Sequence, residues 1–89
     1  MKIEIEVRNL NELQQVLEVG NVDRIMLDMF TPELTKEAVK IINGRFETES
    51  SGGITFATLR QYGECGVDYI SVGALTHSVN GLDMSFKAC

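Results

Sequence analysis

Glu49-Ser50-Ser51-Gly52-Gly53-Ile54 and Ile70-Ser71-Val72-Gly73-Ala74-Leu75-Thr76-His77-Ser78 decide how this chain is read. Each follows a run rich in β-branched or aromatic residues, and each leads toward a helical pattern. Glycine lets the backbone take positive φ and lets a ligand come close. Backbone N–H groups at such a turn, aimed from a helix start, form an anion site. Two such turns on consecutive strand–helix units resemble the phosphate site in the last loops of (βα) barrels. The expected ligand is a phosphorylated small molecule. The Ser51 hydroxyl and the Gly52 and Gly53 amides would hold one phosphate, and the Gly73 and Ala74 amides would complete the cradle. His77, just past the second turn, is placed for phosphate contact rather than catalysis.

Upstream of these turns the chain repeats strand then helix. Lys2 to Val7 alternates strictly, with Ile3, Ile5 and Val7 on one face and Glu4 and Glu6 on the other, so it reads as a strand. Asn9 reads as an N-cap with Glu12 three residues on, close to a capping box. Leu10, Leu13, Val16 and Leu17 follow at helical spacing and Gly20 ends the helix. Arg24 to Met29 is the second strand. Thr31-Pro32-Glu33 starts the second helix with a hydroxyl cap, proline in the first turn and an acid. Leu34, Ala38, Ile41 and Ile42 form its apolar stripe and Gly44 closes it. Phe46 to Ser51 is the third strand. Thr55 is the expected cap of a third helix carrying Leu59 and Tyr62 and ending at Gly66, and Val67 to Val72 is the fourth strand. Leu82 to Lys87 alternates again, as a short strand or helix fragment. The fold class is α/β: a parallel βαβαβαβ unit with right-handed crossovers. Four units are too few to close a barrel, so a partial (βα) barrel or an open sheet is expected, as a single domain over residues 1–89.

Glu6 and Asp28 end consecutive strands at the carboxyl side, where parallel α/β sheets bind ligands. Carboxylates there can hold a divalent metal or accept hydrogen bonds from ribose hydroxyls; strand-end acids that merely face water are the alternative. Glu4 with Glu6, and Glu47 with Glu49, each share a strand face by period two. Like charges in a confined interior are costly without cations. The strands offer no evident internal cation, because Arg24 begins its strand at the other end. Met26, Met29 and Met84 read as core or gap-filling residues.

The 89 residues suffice for one small domain. Formal net charge is −5 and the eight basic residues are scattered singly, which argues against nucleic acid, whose backbone selects clustered Lys and Arg. It also means an anion site must rely on local N–H groups. No apolar run approaches the ~18 residues of a membrane span, and the Met1-Lys2-Ile3-Glu4 start lacks a signal peptide's apolar core, so a cytoplasmic location is expected. Cys65 and Cys89 have no metal-ligand spacing and are read as a packed thiol and a free terminal one.

At these same residues the chain resembles a known family. Glu4-Ile5-Glu6-Val7, Met26-Leu27-Asp28, Glu49 to Ile54 and especially Gly66 to Ser78 are similar to quinolinate phosphoribosyltransferase, also called nicotinate-nucleotide pyrophosphorylase (carboxylating). The similarity runs from Ile3 to about Phe86. It implies transfer of a phosphoribosyl group from phosphoribosyl pyrophosphate to quinolinate in NAD biosynthesis. Nicotinate mononucleotide, carbon dioxide and pyrophosphate would be the products and Mg2+ the cofactor. By the same resemblance Glu6 and Asp28 would contact ribose and metal, while Ser51, Gly52, Gly53, Gly73 and His77 would line the phosphate site. Met29 stands where the family usually carries Asn. The resemblance covers only the C-terminal part of the enzyme; the family's N-terminal domain and earlier barrel strands, which supply cations for the quinolinate carboxylates, have no counterpart here. The chain is therefore expected to be inactive alone, as an expressed fragment or a reduced paralogue. The alternative is a non-catalytic α/β module that self-associates, as a homodimer or higher homo-oligomer, through open sheet edges.

Overall fold

The computed structural model describes residues 3–72 and 75–79. Elements run β1 (Glu4–Val7), α1 (Leu10–Val19), β2 (Arg24–Asp28), α2 (Pro32–Ile42), β3 (Glu47–Ser51), α3 (Leu59–Gly63), β4 (Tyr69–Val72) and β5 (Leu75–Ser78). One sheet holds all five strands in the order β1-β2-β3-β4-β5. The first four are parallel, and β5 pairs antiparallel with β4. Sequential order with a helix between successive parallel strands gives, among the described residues, an open α/β sheet.

The helices start and stop for local reasons. Asn9 accepts a hydrogen bond from the Glu12 N–H through its side chain (2.8 Å), and Glu12 returns one from the Arg8 N–H (2.8 Å). Gly20 closes α1 at φ +71, a left-handed conformation that glycine adopts without penalty. Thr31 caps α2 through the Leu34 N–H, with Pro32 in the first turn.

Three expected boundaries are corrected. α2 ends on Asn43, itself left-handed at φ +54, with Gly44 one residue beyond. The cap of α3 is Thr58 rather than Thr55. Residues 55–58 form a turn in which Thr55 and Thr58 bond each other, so the helix starts three residues late and ends at Gly63. The third correction bears on function. The chain from Leu75 is not helical but returns as β5, antiparallel to β4. Leu75 to Ser78 carries a β-branched residue and alternates, and pairing with β4 satisfies its backbone. The Leu82 to Lys87 tail, Met84 and Cys89 lie outside the described residues.

Alternate residues separate two faces. Val7, Ile25, Leu27 and Ile70 meet Leu13 and Val16 of α1 and Ala38 and Ile42 of α2 in one buried cluster. The α2 stripe is rotated from the expected one: Thr35 is buried and Leu34 is 41% exposed. Thr35 is tolerated there because its hydroxyl donates to the Thr31 carbonyl (2.8 Å). Cys65 is a free, buried thiol between α2 and α3, donating toward the Pro32 and Gln61 carbonyls, and burial raises its pKa. At the edge, Ile3 and Ile5 are 48% and 37% exposed although Ile25, beside Ile5, is fully covered. Among the described residues, strand β1 has a neighbour on one side alone.

Candidate functional site

Among the described residues, no helix covers the opposite face of the sheet. Its residues follow from the pairing: Glu4 beside Arg24 beside Glu47, Glu6 beside Met26 beside Glu49, and Asp28 beside Ser51. Period two puts all of them on one side. Glu6, Asp28 and Ser51, named from the sequence, therefore lie at or next to the carboxyl ends of three neighbouring strands and point the same way.

The turn after β3 closes onto the end of β2. Gly52 has φ +95 and Gly53 φ +73. A Cβ on Gly52 would lie 2.6 Å from Met29 Sδ, 2.9 Å from the Met29 nitrogen and 3.0 Å from Asp28 Oδ1. Only glycine fits, for space as well as for φ. The Met29 N–H donates to the Ser51 carbonyl (2.8 Å), extending the β2–β3 ladder past Asp28. Met29 itself is left-handed at φ +62 and 68% exposed. It is not the core residue expected from its type: the chain must turn there to reach the Thr31 cap, which throws the side chain outward. Met adopts this conformation at a cost, so the turn rests on a strained residue. Ile54 is buried and anchors the loop, and the Tyr62 hydroxyl ties α3 to the Phe30 carbonyl (2.8 Å) just past Met29.

Glu6 and Asp28 face each other across β1 and β2. A hydrogen bond to Asp28 and Asp28's charge raise the Glu6 pKa above its ordinary value, and Arg8 partly opposes this. Arg8 Nη2 is 3.6 Å from Glu6 Oε2 and its Nε 3.6 Å from Asp28 Oδ2. This cation was not among the residues singled out from the sequence. Its signal was available: it continues the Glu4, Glu6 alternation by one more step.

A second polar cluster fills the middle of the same face, and it overturns the expectation that Arg24 starts its strand too far away to balance the interior acids. Its guanidinium reaches along the pleat to Glu47 (3.3 Å) and Glu49 (3.4 Å) and lies 3.8 Å from the Tyr69 ring centroid. A long stem lets the charged head act well away from its own Cα. Glu49, 3% exposed, also accepts from the Ser71 hydroxyl (2.6 Å), which bonds Thr76 of β5 (3.0 Å). A hydrogen bond with Glu49, then burial and Glu49's charge, raise the Glu4 pKa. Within this cluster Arg24, Glu47, Glu49, Ser71 and Thr76 engage one another.

His77 is not brought to the Ser51-Gly52-Gly53 turn. His77 pairs with Ile70 in the middle of β4, so it alternates to the face opposite Glu49 and Ser71, because the expected turn into a helix is a strand instead. Gly73 and Ala74 lie outside the described residues.

Among the described residues, no three His, Cys, Asp or Glu side chains group as a metal cage. Mg2+ is usually held by one or two carboxylates together with substrate phosphates. The Glu6–Asp28 pair, two hard oxygen donors beside an amide-bearing turn, fits a cation shared with a phosphorylated ligand and does not fit a closed protein site.

Comparison with known proteins adds to this geometry. The sequence profile of the family described as quinolinate phosphoribosyl transferase, C-terminal domain, matches residues 1–87. The chain is 46% identical over 98% of its length to the chloroplastic nicotinate-nucleotide pyrophosphorylase [carboxylating] of Oryza sativa subsp. japonica. It is 50% identical over 94% to a probable enzyme of that name from Methanocaldococcus jannaschii. It spans 27% and 32% of those two proteins. The solved nicotinate-nucleotide pyrophosphorylase of Ehrlichia chaffeensis superposes with a TM-score of 0.74 at 38% identity, over 80% of this chain and 26% of that one. The Francisella tularensis enzyme gives 0.73 at 37%, over 84% and 28%. With a profile covering nearly its whole length and relatives this similar, the chain belongs to the quinolinate phosphoribosyl transferase C-terminal domain family.

Proposed function

We propose that this chain is the phosphate- and ribose-binding side of a quinolinate phosphoribosyltransferase, acting on phosphoribosyl pyrophosphate and releasing nicotinate mononucleotide, carbon dioxide and pyrophosphate. One observation carries the reading: Glu6, Asp28 and the Ser51-Gly52-Gly53 turn converge on one face at one end of the sheet, with Gly52 against Asp28. The relatives named for this reaction support it.

Glu6 and Asp28 accept hydrogen bonds from the ribose hydroxyls and fix the sugar against the sheet. The Gly52 and Gly53 amides and the Ser51 hydroxyl bind the phosphate, with Gly73 and Ala74 proposed to complete its surroundings; His77, on the other face of the sheet, is left out of the site. Held at both ends, the ribose presents its anomeric carbon in one orientation, which lowers the entropic part of the barrier. The same two carboxylates would hold Mg2+, which supplies charge neutralisation of the pyrophosphate as it leaves. The quinolinate carboxylates require cations, and among the described residues the two on this face are already engaged, Arg24 by Glu47 and Glu49 and Arg8 by Glu6 and Asp28. Those cations come from a region outside these residues, and the chain alone does not turn over quinolinate.

The test is an amide chemical-shift titration with phosphoribosyl pyrophosphate, with and without Mg2+. Shifts concentrated at Ser51, Gly52 and Gly53, with Glu6 and Asp28 responding when metal is added, are expected. Shifts confined to other regions would overturn the site, and nicotinate mononucleotide formed by the purified chain would overturn its dependence on the rest of the enzyme.

Self-association is a second reading favoured by the uncovered β1 edge, where Ile3 and Ile5 are exposed. It predicts a dimer or higher homo-oligomer in sedimentation. We also propose a cytoplasmic location without nucleic-acid or membrane partners. Its support is scattered basic charge and the lack, among the described residues, of a helix long and apolar enough to cross a membrane. Relatives named chloroplastic and mitochondrial make cell fractionation the deciding measurement.

A further inference from the structure

We infer that Arg8 is a positioning residue that serves as the built-in counter-ion of the Glu6–Asp28 pair and competes with a divalent cation for it. The inference rests on the proposed role of those two carboxylates as cation ligands. The geometry is specific to this side chain. Val7 pairs with Leu27, so the next residues along the two strands, Arg8 and Asp28, lie side by side. The Arg8 guanidinium spans both carboxylates at 3.6 Å each, with Nη2 toward Glu6 and Nε toward Asp28.

Its backbone is fixed on both sides. Before it runs the paired strand β1. After it comes the extended Asn9 cap, and the Arg8 N–H itself donates to Glu12 Oε1 (2.8 Å). The side chain is 70% exposed, so it can swing into water without breaking packing. When both are ionised, two carboxylates that share one guanidinium repel each other, and a nearby positive charge offsets that repulsion. Without a metal, Arg8 supplies that charge and keeps both groups on one side. When a divalent cation enters, the guanidinium must leave, and its departure sets part of the binding free energy. This links the α1 capping box to cation affinity, because Glu12 holds the residue that guards the pair.

The experiment titrates Mg2+ and, separately, Mn2+ into the chain and into Arg8→Gln and Arg8→Lys, by calorimetry and by the Mn2+ paramagnetic resonance signal, with Glu6→Gln as the control. Removing one positive charge several ångströms from a divalent ion corresponds to about five- to tenfold tighter binding in high-dielectric surroundings. Arg8→Gln is therefore expected to bind more tightly by that factor at low salt, with the gain shrinking as ionic strength rises. Arg8→Lys, which keeps the charge, stays within about twofold of the parent. Equal or weaker binding by Arg8→Gln would overturn the inference while leaving the carboxylates as ligands. Binding that survives Glu6→Gln unchanged, or no binding by any variant, would overturn both the inference and the metal role.

Discussion

The two faces of the sheet are made of alternating residues from the same strands, yet they are different materials. The helix-covered face is dry: Ile25, Leu27 and Ile70 are fully buried against α1 and α2. The bare face is a plane of charge, with Glu4, Glu6, Arg24, Asp28, Glu47 and Glu49 within a few residues of one another. The difference shows how a small parallel sheet divides its labour. Burial of apolar area, at about 25 cal/mol per Å², is concentrated on one side and stabilises the fold. The other side is left to hydrogen bonds and ion pairs, which contribute little net stability but aim donors and acceptors at a ligand. Within the bare face there is a further division. Around Glu49 the polar groups satisfy each other; around Glu6, Asp28 and Gly52, at the strand ends, they are open to a visitor.

Truncating the dry face is the hardest test of this contrast. Ile25→Ala removes a fully buried side chain from the centre of the sheet and should destabilise the chain by about 2–5 kcal/mol in urea unfolding. A loss under 1 kcal/mol would mean the helices do not seal that face. A smaller effect is expected at the turn that joins the two faces' work. Gly52→Ala combines positive φ with a collision against Met29 and Asp28, and should cost about 2–3 kcal/mol and disturb the Asp28 resonances. Gly53→Ala, equally left-handed but with nothing within 4 Å of the added carbon, should cost about 1 kcal/mol. Equal costs at the two positions would show that Gly52 does not press on the end of β2.

The smallest effect lies on the bare face and depends on pH. The Glu4 pKa is raised in the folded chain by its hydrogen bond with Glu49, by burial and by Glu49's charge. A carboxyl with a raised folded pKa contributes stability that is present below its unfolded value and lost as pH rises through the folded value. Glu4→Gln stays neutral throughout. The variant should therefore gain on the parent as pH rises from 4.5 toward neutrality, and the difference in melting temperature should close again on acidification. A difference independent of pH would separate Glu4 from Glu49.

Much of this was legible along the chain. Strict alternation in Glu4 to Val7, the Asn9 and Thr31 caps and the proline after Thr31 are local signals, and local hydrogen bonds obey them. The candidate carboxylates Glu6 and Asp28 were legible too, since strand ends in a parallel sheet are found by counting. What failed to be legible depended on partners distant in sequence. Leu75 to Ser78 reads as the approach to a helix until β4 offers its edge. Arg24 reads as remote from Glu47 and Glu49 until the register of β2 and β3 sets it beside Glu47 and its long stem reaches Glu49. His77 reads as a neighbour of the glycine turn until β5 turns it to the other face.

By itself, then, the sequence determined the alternation of strands and helices, the acidic and apolar sets that would occupy opposite faces, and the glycines able to take positive φ, because each follows from a residue and those within four positions of it. Tertiary structure alone decided that Gly52 must be glycine for want of space beside Asp28, that Met29 carries strain and faces outward, and that Arg8 and Arg24 are the cations of the bare face. Those facts belong to strand register and crossover geometry, which bring together groups about twenty residues apart, and no local pattern encodes such distances.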